Sequence, residues 1–470
     1  MLLLANAPML AALGGVTAAL ALDNLYLLFT APLFTAGLLL CSQNLKKFKI
    51  KGQAKVFVIL ILISFACSVR FYCVFNQPEF KSSYIKAVGT VRLVRPWGRT
   101  YRAVIDTKSG NFLITLHLPS LFPGELIEIQ GETANFKDKL NNSFSELRCW
   151  RARDVQARLT RVKINELGVD KFSFAYLRFK IANYLSLNMP HFTQAYLKAA
   201  WLGERDAEIN KFHLALGTSH LLAVSGFHVG IAAFIAYLIF GKKRVILISS
   251  LIWLYVMLTG AAASALRAAL MFQTAIFAHM IGRPGNSLNG VSVAAIILLF
   301  HSPYLFWEMS FRLSVISVLT IAAFRELSKI TIIKFLDLPP LVALTTFAEA
   351  AYIFKSVPIA GLVLNLFAPV FFSMAFSVAS LTVLLYFLNL PFAEILLNSC
   401  EYNFIFFHDI ANKILQTLPI LNYKIPWRYD IAFISAFAFI FILCLAVRLE
   451  LKQALIIALC LAAFAFIIFL

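Results

Sequence analysis

Apolar runs of bilayer-spanning length, about twenty residues each, recur from one end of this chain to the other. In lipid, only helices and closed barrels satisfy their own backbone groups, so this feature points to a polytopic α-helical membrane protein. Runs suited to spans lie near 4–22, 25–42 and 56–75. They resume near 219–240, 245–260, 262–281, 287–301, 305–323, 340–354, 357–374, 375–390, 430–447 and 452–470, about 13 in all. The residues are 60% hydrophobic and 14% charged. A soluble domain is nearer half and a quarter. The start, "MLLLANAPML", lacks a basic n-region, so no cleavable signal peptide is expected.

The formal charge of +19 has to be placed before it is interpreted. Basic turns lie at "KKFKIKGQAK" (46–55), "GKKR" (241–244), "IGRPG" (281–285), "RELSK" (325–329) and "RLELK" (448–452). Putting all of them in the cytoplasm gives consistent alternation across the spans. The N-terminus is then cytoplasmic and residues 76–218 lie outside.

Residues 76–170 are a different material. "YIKAVGTVRLVR", "TYRAVID", "NFLITLHL", "GELIEIQGETANF" and "CWRARDVQARLT" alternate with strand period and are separated by turn signals. Five strands in so short a stretch suit a partly open β-barrel of the OB type, the alternative being a small antiparallel sandwich. From 171 to 218 the pattern becomes amphipathic and helical, with Trp201, Leu202 and Leu214 set against Glu204, Arg205 and Asp206, as for helices at the outer interface. The expected plan is spans in 1–75, the β-domain in 76–170, interfacial helices in 171–218, a core in 219–390, an external amphipathic connection in 391–428 and closing spans in 429–470. His408 and Asp409 fall in that connection and are expected at the interface.

Seven cysteines contain no CxxC pair, so a zinc ribbon is not expected. Cys73 and Cys149 fall outside the membrane, where a disulfide between them can form. Cys41, Cys67, Cys400, Cys444 and Cys460 read as small apolar residues.

Positive-inside bias cannot account for cations placed outside. Residues 81–102 hold Lys81, Lys86, Arg92, Arg95, Arg99 and Arg102 with no acid, interleaved with Tyr84, Trp97 and Tyr101. Residues 148–163 add Arg148, Arg151, Arg153, Arg158, Arg161 and Lys163 against Asp154, with Trp150 beside them. Glu125, Glu128 and Glu132 make the middle acidic, so basic outer strands appear segregated from it. Cations that track phosphates and rings that stack on bases are what single-stranded nucleic acid requires. Arg92, Arg95, Trp97, Arg99, Arg102, Trp150, Arg151 and Arg153 are the candidate contacts. A solvated face, or one against anionic lipid, is the competing account.

Polar groups gather again in "HLLAVSGFHVG" (220–230). His220 and His228 are eight apart with no acid between, which disfavours a metal site. "AVSGF" is not a G-x-S-x-G elbow, which disfavours a serine hydrolase built on Ser225 and His228. Two accounts remain: a structural helix, and the polar lining of a path. Gly226 and Gly230 permit close approach, and Ser225 shares a helical face with His228. "GAAASALRAALM" (260–271) adds Gly260, Ser264 and Arg267 within an apolar run. An arginine there should face protein or water and suits a phosphate better than a proton.

These stretches resemble the ComEC-type competence proteins, inner-membrane channels through which transforming DNA enters bacteria as a single strand. "LGER" (202–205), "HLLAVSGFHVG", "GAAASALRAALM", "GRPGNSLNGVSVAAIILLFHSPYLFWEMSFRLSVISVL" (282–319) and "VPIAGLVLNLFAPV" (357–370) follow the family's order. Asn286, Pro303, Phe311, Leu313, Ser314, Asn365 and Pro369 sit in the expected pattern, and Phe227 stands where a smaller aliphatic residue is usual. The resemblance implies a DNA channel rather than an enzyme, with His220, Ser225, Gly226, His228, Gly230, Ser264 and Arg267 along the path. It also implies a periplasmic DNA-binding protein, a cytoplasmic helicase or motor, and possible homo-oligomers. Longer members carry a metallo-β-lactamase-like domain; no H-x-H-x-D-H cluster occurs here, so a separate nuclease is expected. Neither metal nor cofactor is expected, and no P-loop is present. The rival is a solute or lipid transporter whose basic domain meets headgroups.

Overall fold

The structure is a computed structural model that describes residues 8–21, 50–76, 83–136, 145–241, 244–282, 285–328 and 338–446, with isolated positions in 32–36 and 454–462. The spans expected at 25–42 and 452–470, Cys41, Cys460, Lys81, and much of the basic turns (46–49, 242–243, 283, 329 and 448–452) lie outside the described residues.

Helices α1 (Pro8–Ala21) and α2 (Ile50–Phe75) precede five strands: β1 (Tyr84–Trp97), β2 (Thr100–Thr107), β3 (Gly110–Leu116), β4 (Glu125–Ala134) and, after the short helix α3 (Glu146–Arg151), β5 (Ala157–Val169). They close into a barrel of order β1-β2-β3-β5-β4, antiparallel except where β3 runs parallel to β5. β4 shows why: every second residue, from Glu125 to Thr133, is buried, the period-two signature of a strand with one face on a core. Val91, Ile105, Phe112, Ile114, Ile127 and Ile129 fill the interior. The fifth strand starts later than its sequence suggests. Ser145 Oγ caps Arg148 N at 3.3 Å, so "ELRCWR" winds into α3 and the strand begins at Ala157.

Next come α4 (Phe174–Asn188), α5 (His191–Leu197) with a π-helical turn over Lys198–Leu202, and α6 (Ala207–Leu216). Ser173 caps α4 and Asp206 caps α6. These helices were expected at an interface, yet Tyr196, Leu197 and Ala199 are fully enclosed, packed against later helices. Trp201 Nε1 donates to Ser380 Oγ at 3.0 Å.

The core continues through α7 (Gly226–Phe240), α8 (Val245–Leu258), α9 (Ala263–Met280), α10 (Ser287–His301), α11 (Met309–Ser328) and α12 (Leu338–Phe354). Strand β6 (Ser356–Pro358), α13 (Ile359–Leu364), α14 (Ala368–Phe387), α15 (Ala393–Thr417), β7 (Lys424–Pro426) and α16 (Tyr429–Ala446) complete it. Among the described residues, three helices are long and apolar enough to cross a membrane: Val58–Phe75, Ala368–Phe387 and Tyr429–Ala446. Shorter apolar helices occupy Met9–Ala18, Gly226–Phe240, Val245–Leu258, Ser287–His301 and Leu338–Phe354. The expected split of 357–390 at residue 374 is displaced to 365–367, because Pro369 opens the first turn of α14 and its ring suits a helix start. Residues 391–428 hold one 25-residue helix, α15, whose follower β7 pairs with β6. Glu349, in the middle of apolar α12, is paired with Arg312 of α11 at 2.6 Å.

Candidate functional site: a buried arginine node and a basic barrel tip

The helix α7 begins only at Gly226, so residues 220–225 form its approach rather than its first turns. Ser225 is the N-cap. His228 Nδ1 accepts from the Ser225 backbone N–H at 3.2 Å and lies 3.1 Å from Ser225 Oγ. The shared face expected for these two is therefore a capping contact. With Nδ1 accepting, the ring proton sits on Nε2, which is buried and has no partner among the described residues.

Ser264 Oγ on α9 donates to the Val224 carbonyl, tying the approach segment to the second motif. Arg267, also on α9 and 3% exposed, donates from Nη1 to the Ser314 carbonyl on α11. Its Nε is buried without a partner, and no described carboxylate pairs with it. A Cβ on Gly226 would lie 3.2 Å from Arg267 Nη2, so the glycine leaves room for the guanidinium. Three motif stretches, 220–230, 260–271 and 282–319, therefore meet at one arginine. Gly230 is different: it is exposed, and a Cβ there would meet nothing within 4 Å, so close approach is not its role. His220 is exposed on a 3-10 turn. A cleft of about 220 Å³ adjoins the node, lined by His228, Trp201, Tyr255 and Phe376 among apolar side chains. Among the described residues no three His, Cys, Asp or Glu side chains could hold a metal ion.

The barrel's charges are less segregated than their order implies. β4 lies between β1 and β5, so its acids neutralise both basic strands. Lys86 pairs with Glu128 at 3.1 Å and Arg161 with Glu132 at 3.2 Å. Arg92 pairs with Asp106 at 3.3 Å and donates to the Arg153 carbonyl at 2.7 Å. Arg102 reaches Thr115 Oγ1 at 2.9 Å and Glu146 at 3.5 Å. Arg153 pairs with Glu308 at 3.0 Å. Arg151 is half-buried, its Nε unpartnered. Trp150 is 3% exposed and packs with Val104, Leu113 and Val155 on the face of β2 and β3 opposite the barrel interior, so it cannot offer an open stacking face. Trp97, 39% exposed, stands over it at 5.6 Å between ring centroids. Arg95, Trp97 and Arg99 remain solvent-facing, at the hairpin where Trp97 pairs with Thr100.

Cys73 and Cys149 are free, not bridged. Cys73 is exposed on α2, whereas Cys149 Sγ accepts from Arg153 Nη1 at 2.9 Å. Burial pushes the Cys149 thiol pKa up.

Sequence reasoning missed a second polar centre. Tyr196 OH lies 2.7 Å from His213 Nε2 and 2.8 Å from His408 Nε2, and His213 Nδ1 lies 2.8 Å from Thr218 Oγ1. His408 thus turns inward from α15, stacking on Phe212 at 4.0 Å, while Asp409 is exposed. No periodicity in the sequence connects three residues so far apart. Arg178 of α4 was missed as well: "YLRFK" reads as a surface pattern, yet this arginine is 9% exposed.

A helical membrane protein carrying an inserted five-stranded barrel, its motifs gathered on one buried arginine, is the class that fold and site define. The model of the competence protein family matches residues 202–468, more than half of the chain, and the chain belongs to that family. A stretch of 153 residues is 35% identical to ComE operon protein 3 of Bacillus subtilis (strain 168), covering 31% of this chain and 20% of that protein. The chain thus matches about a fifth of that relative's length. No solved structure matches.

Proposed function

We propose that this chain is the inner-membrane channel of DNA uptake in natural transformation, passing one strand into the cytoplasm. The observation that carries the proposal is the meeting of three family motif stretches on Arg267, a buried cation without an acidic partner among the described residues. A fixed guanidinium inside an apolar bundle is costly unless it serves an anion or a path. Family membership and the name of the Bacillus relative support DNA uptake as the process.

The barrel's strand order, with β3 parallel to β5, supports an OB-type domain, a fold that offers oligonucleotides a face and its loops. The basic turns support its placement outside the membrane. Capture then begins at Arg95, Trp97 and Arg99, and the strand continues along α7 and α9 past Ser225, His228, Ser264 and Arg267. In the described conformation those groups are enclosed and Arg267 is held by Ser314, so passage requires α9 and α11 to part. The chain's own role is that of a conduit. A periplasmic DNA-binding protein delivers the duplex, a separate nuclease removes the other strand, and a cytoplasmic helicase or motor draws in the one that enters. Homo-oligomers of the chain are a further part of the proposal.

The test is uptake of fluorescent duplex DNA by cells with and without the gene, scoring envelope arrival separately from cytoplasmic entry. Loss of entry with retained arrival supports the channel. Normal entry without the gene rejects it and favours solute or lipid transport.

A further inference from the structure

The cleft beside the arginine node follows one face of α7. His228, Ile231, Ala232 and Ile235 all line it, and positions i, i+3, i+4 and i+7 lie above one another on a helix. From His228 to Ile235 the helix rises about 10 Å, so the cleft starts in the first turn of α7 and runs two turns along it. Phe376 and Ser380 of α14, Tyr255 of α8 and Trp201 of the π-helical turn close its other sides. Ile235 is 39% exposed, so the cleft reaches the protein surface. The outer faces of the two flanking helices are apolar: Phe234 and Leu238 on α7, and Val378 and Leu381 on α14, are all exposed. Helix α14 is one of those long and apolar enough to cross a membrane.

The polar groups of the cleft decide what fits it. Among the described residues that line it, no Lys, Arg, Asp or Glu occurs, so an anion would be desolvated there without a counter-charge. Two donors are already engaged: Trp201 Nε1 on Ser380 Oγ at 3.0 Å, and Tyr255 OH on the Ala200 carbonyl at 2.8 Å. His228 is different. Its Nδ1 accepts from Ser225 N–H, which leaves the ring proton on Nε2, and that atom is buried with no partner among the described residues. The residue is only 6% exposed, and the facing ring of Phe376, 5.0 Å away between centroids, is a weak acceptor at best. A buried N–H left without an acceptor is destabilising. As for size, an apolar cavity of about 150 Å³ already takes a benzene ring. The cleft, about 220 Å³, holds a stretch of acyl chain. Its occupant therefore has an apolar tail and a neutral acceptor at its head.

We propose that the cleft holds one acyl chain of a membrane phospholipid, whose ester carbonyl accepts from His228 Nε2–H. The depth agrees. His228 stands in the first turn of an apolar helix, the level at which the ester joins headgroup to tail, and the cleft continues from there along the helix. The chain fills the joint between α7 and α14 beside the motif node, and the phosphate headgroup stays outside. This site is independent of the DNA-channel proposal: an empty cleft would leave that proposal untouched.

The experiment places the full chain in nanodiscs of phosphatidylcholine brominated on its acyl chains, since bromine quenches tryptophan at close range. Trp201 lines the cleft, and the difference between wild type and Trp201→Phe isolates its emission from that of the other tryptophans. Trp201 is expected to be largely quenched. Unbrominated diester phosphatidylcholine is expected to relieve the quenching several-fold more effectively than its diether analogue, which keeps chains and headgroup but lacks the carbonyl. Diester phosphatidylglycerol should compete as well as phosphatidylcholine, because no charged side chain meets the head. Ala232→Phe fills the cleft and is expected to abolish the quenching. The ester and ether comparison is made on wild type, so the outcome does not hinge on whether that variant folds. Equal relief by diester and diether would mean ordinary lipid contact at the surface and overturn the proposal. Unquenched Trp201, the result for a cleft that is dry or holds water, would overturn it too. A preference for phosphatidylglycerol would assign the contact to a headgroup instead and overturn it as well.

Discussion

Arg267 donates to the backbone carbonyl of Ser314, so α9 and α11 are latched by a cation with no described acid beside it. Replacing an uncompensated buried charge by an apolar side chain of similar volume is often neutral or stabilising. Arg267→Met is therefore expected to leave thermal stability unchanged or raised while abolishing cytoplasmic DNA entry. A thermal melt in detergent beside the uptake assay checks this; loss of fold together with entry would make the latch purely structural.

The two tryptophans of the barrel should separate cleanly. Trp97→Ala removes an exposed ring and is expected to weaken single-strand binding by roughly 1–3 kcal/mol without altering the melt. Trp150→Ala empties a buried position and is expected to destabilise the barrel by about 3–5 kcal/mol. Anisotropy and hydrogen exchange on the full chain read the two effects independently.

Arg312 and Glu349 form an ion pair between α11 and α12. Removing either partner strands the other, at a cost of about 3–5 kcal/mol. The double replacement Arg312→Met with Glu349→Leu is expected to recover most of that loss. Melting temperatures of the two single variants and the double one measure the coupling.

The Tyr196 centre makes stability depend on pH. Burial, reinforced by His408 and His220, lowers the His213 pKa from 6.5 to about 3, and burial lowers that of His408 to about 4. Below pH 6.5 the unfolded chain takes up protons that the folded chain refuses, so stability falls as pH falls from 6.5 towards 4. Melts at pH 7.5 and 5 should show the drop, and His213→Gln should lessen it, leaving the share of His408. An unchanged slope in that variant would remove His213 as the source.

Cys73 and Cys149 are expected to carry two separate thiols. Intact mass after alkylation without reductant should show both modified, with exposed Cys73 reacting first.

How much of this could be seen beforehand depends on the range of the forces involved. The barrel was legible because alternation in "ELIEIQGETA" is local, and α10 was legible because its apolar run, 287–301, is continuous; the structure adds that Asn286 caps it, accepting from Asn289 N–H at 3.1 Å. The motif stretches pointed to the Arg267 node, since an arginine among alanines is conspicuous in one dimension. What stayed hidden was pairing across the fold. The acids of β4 look like a separate block until the strand order sets them between β1 and β5. The "CWRARD" cations look like a strand until Ser145 caps them into a helix. Tyr196, His213 and His408 share no segment, and Arg178 resembles a surface residue until Gly260 is seen to accommodate it.

The lateral cancellation of charge in the barrel has a consequence for grip. With Lys86, Arg92, Arg102, Arg153 and Arg161 engaged by acids, a strand bound at the hairpin tip as proposed would meet two guanidiniums without an ion pair among the described residues, Arg95 and Arg99. Two phosphate contacts give a salt slope of only about −1.4 for a single strand. Such a hold is brief and insensitive to the length of the polymer. A strand so held is released as readily as it is taken, and on the channel proposal a one-way conduit for a long polymer needs an entrance that lets go.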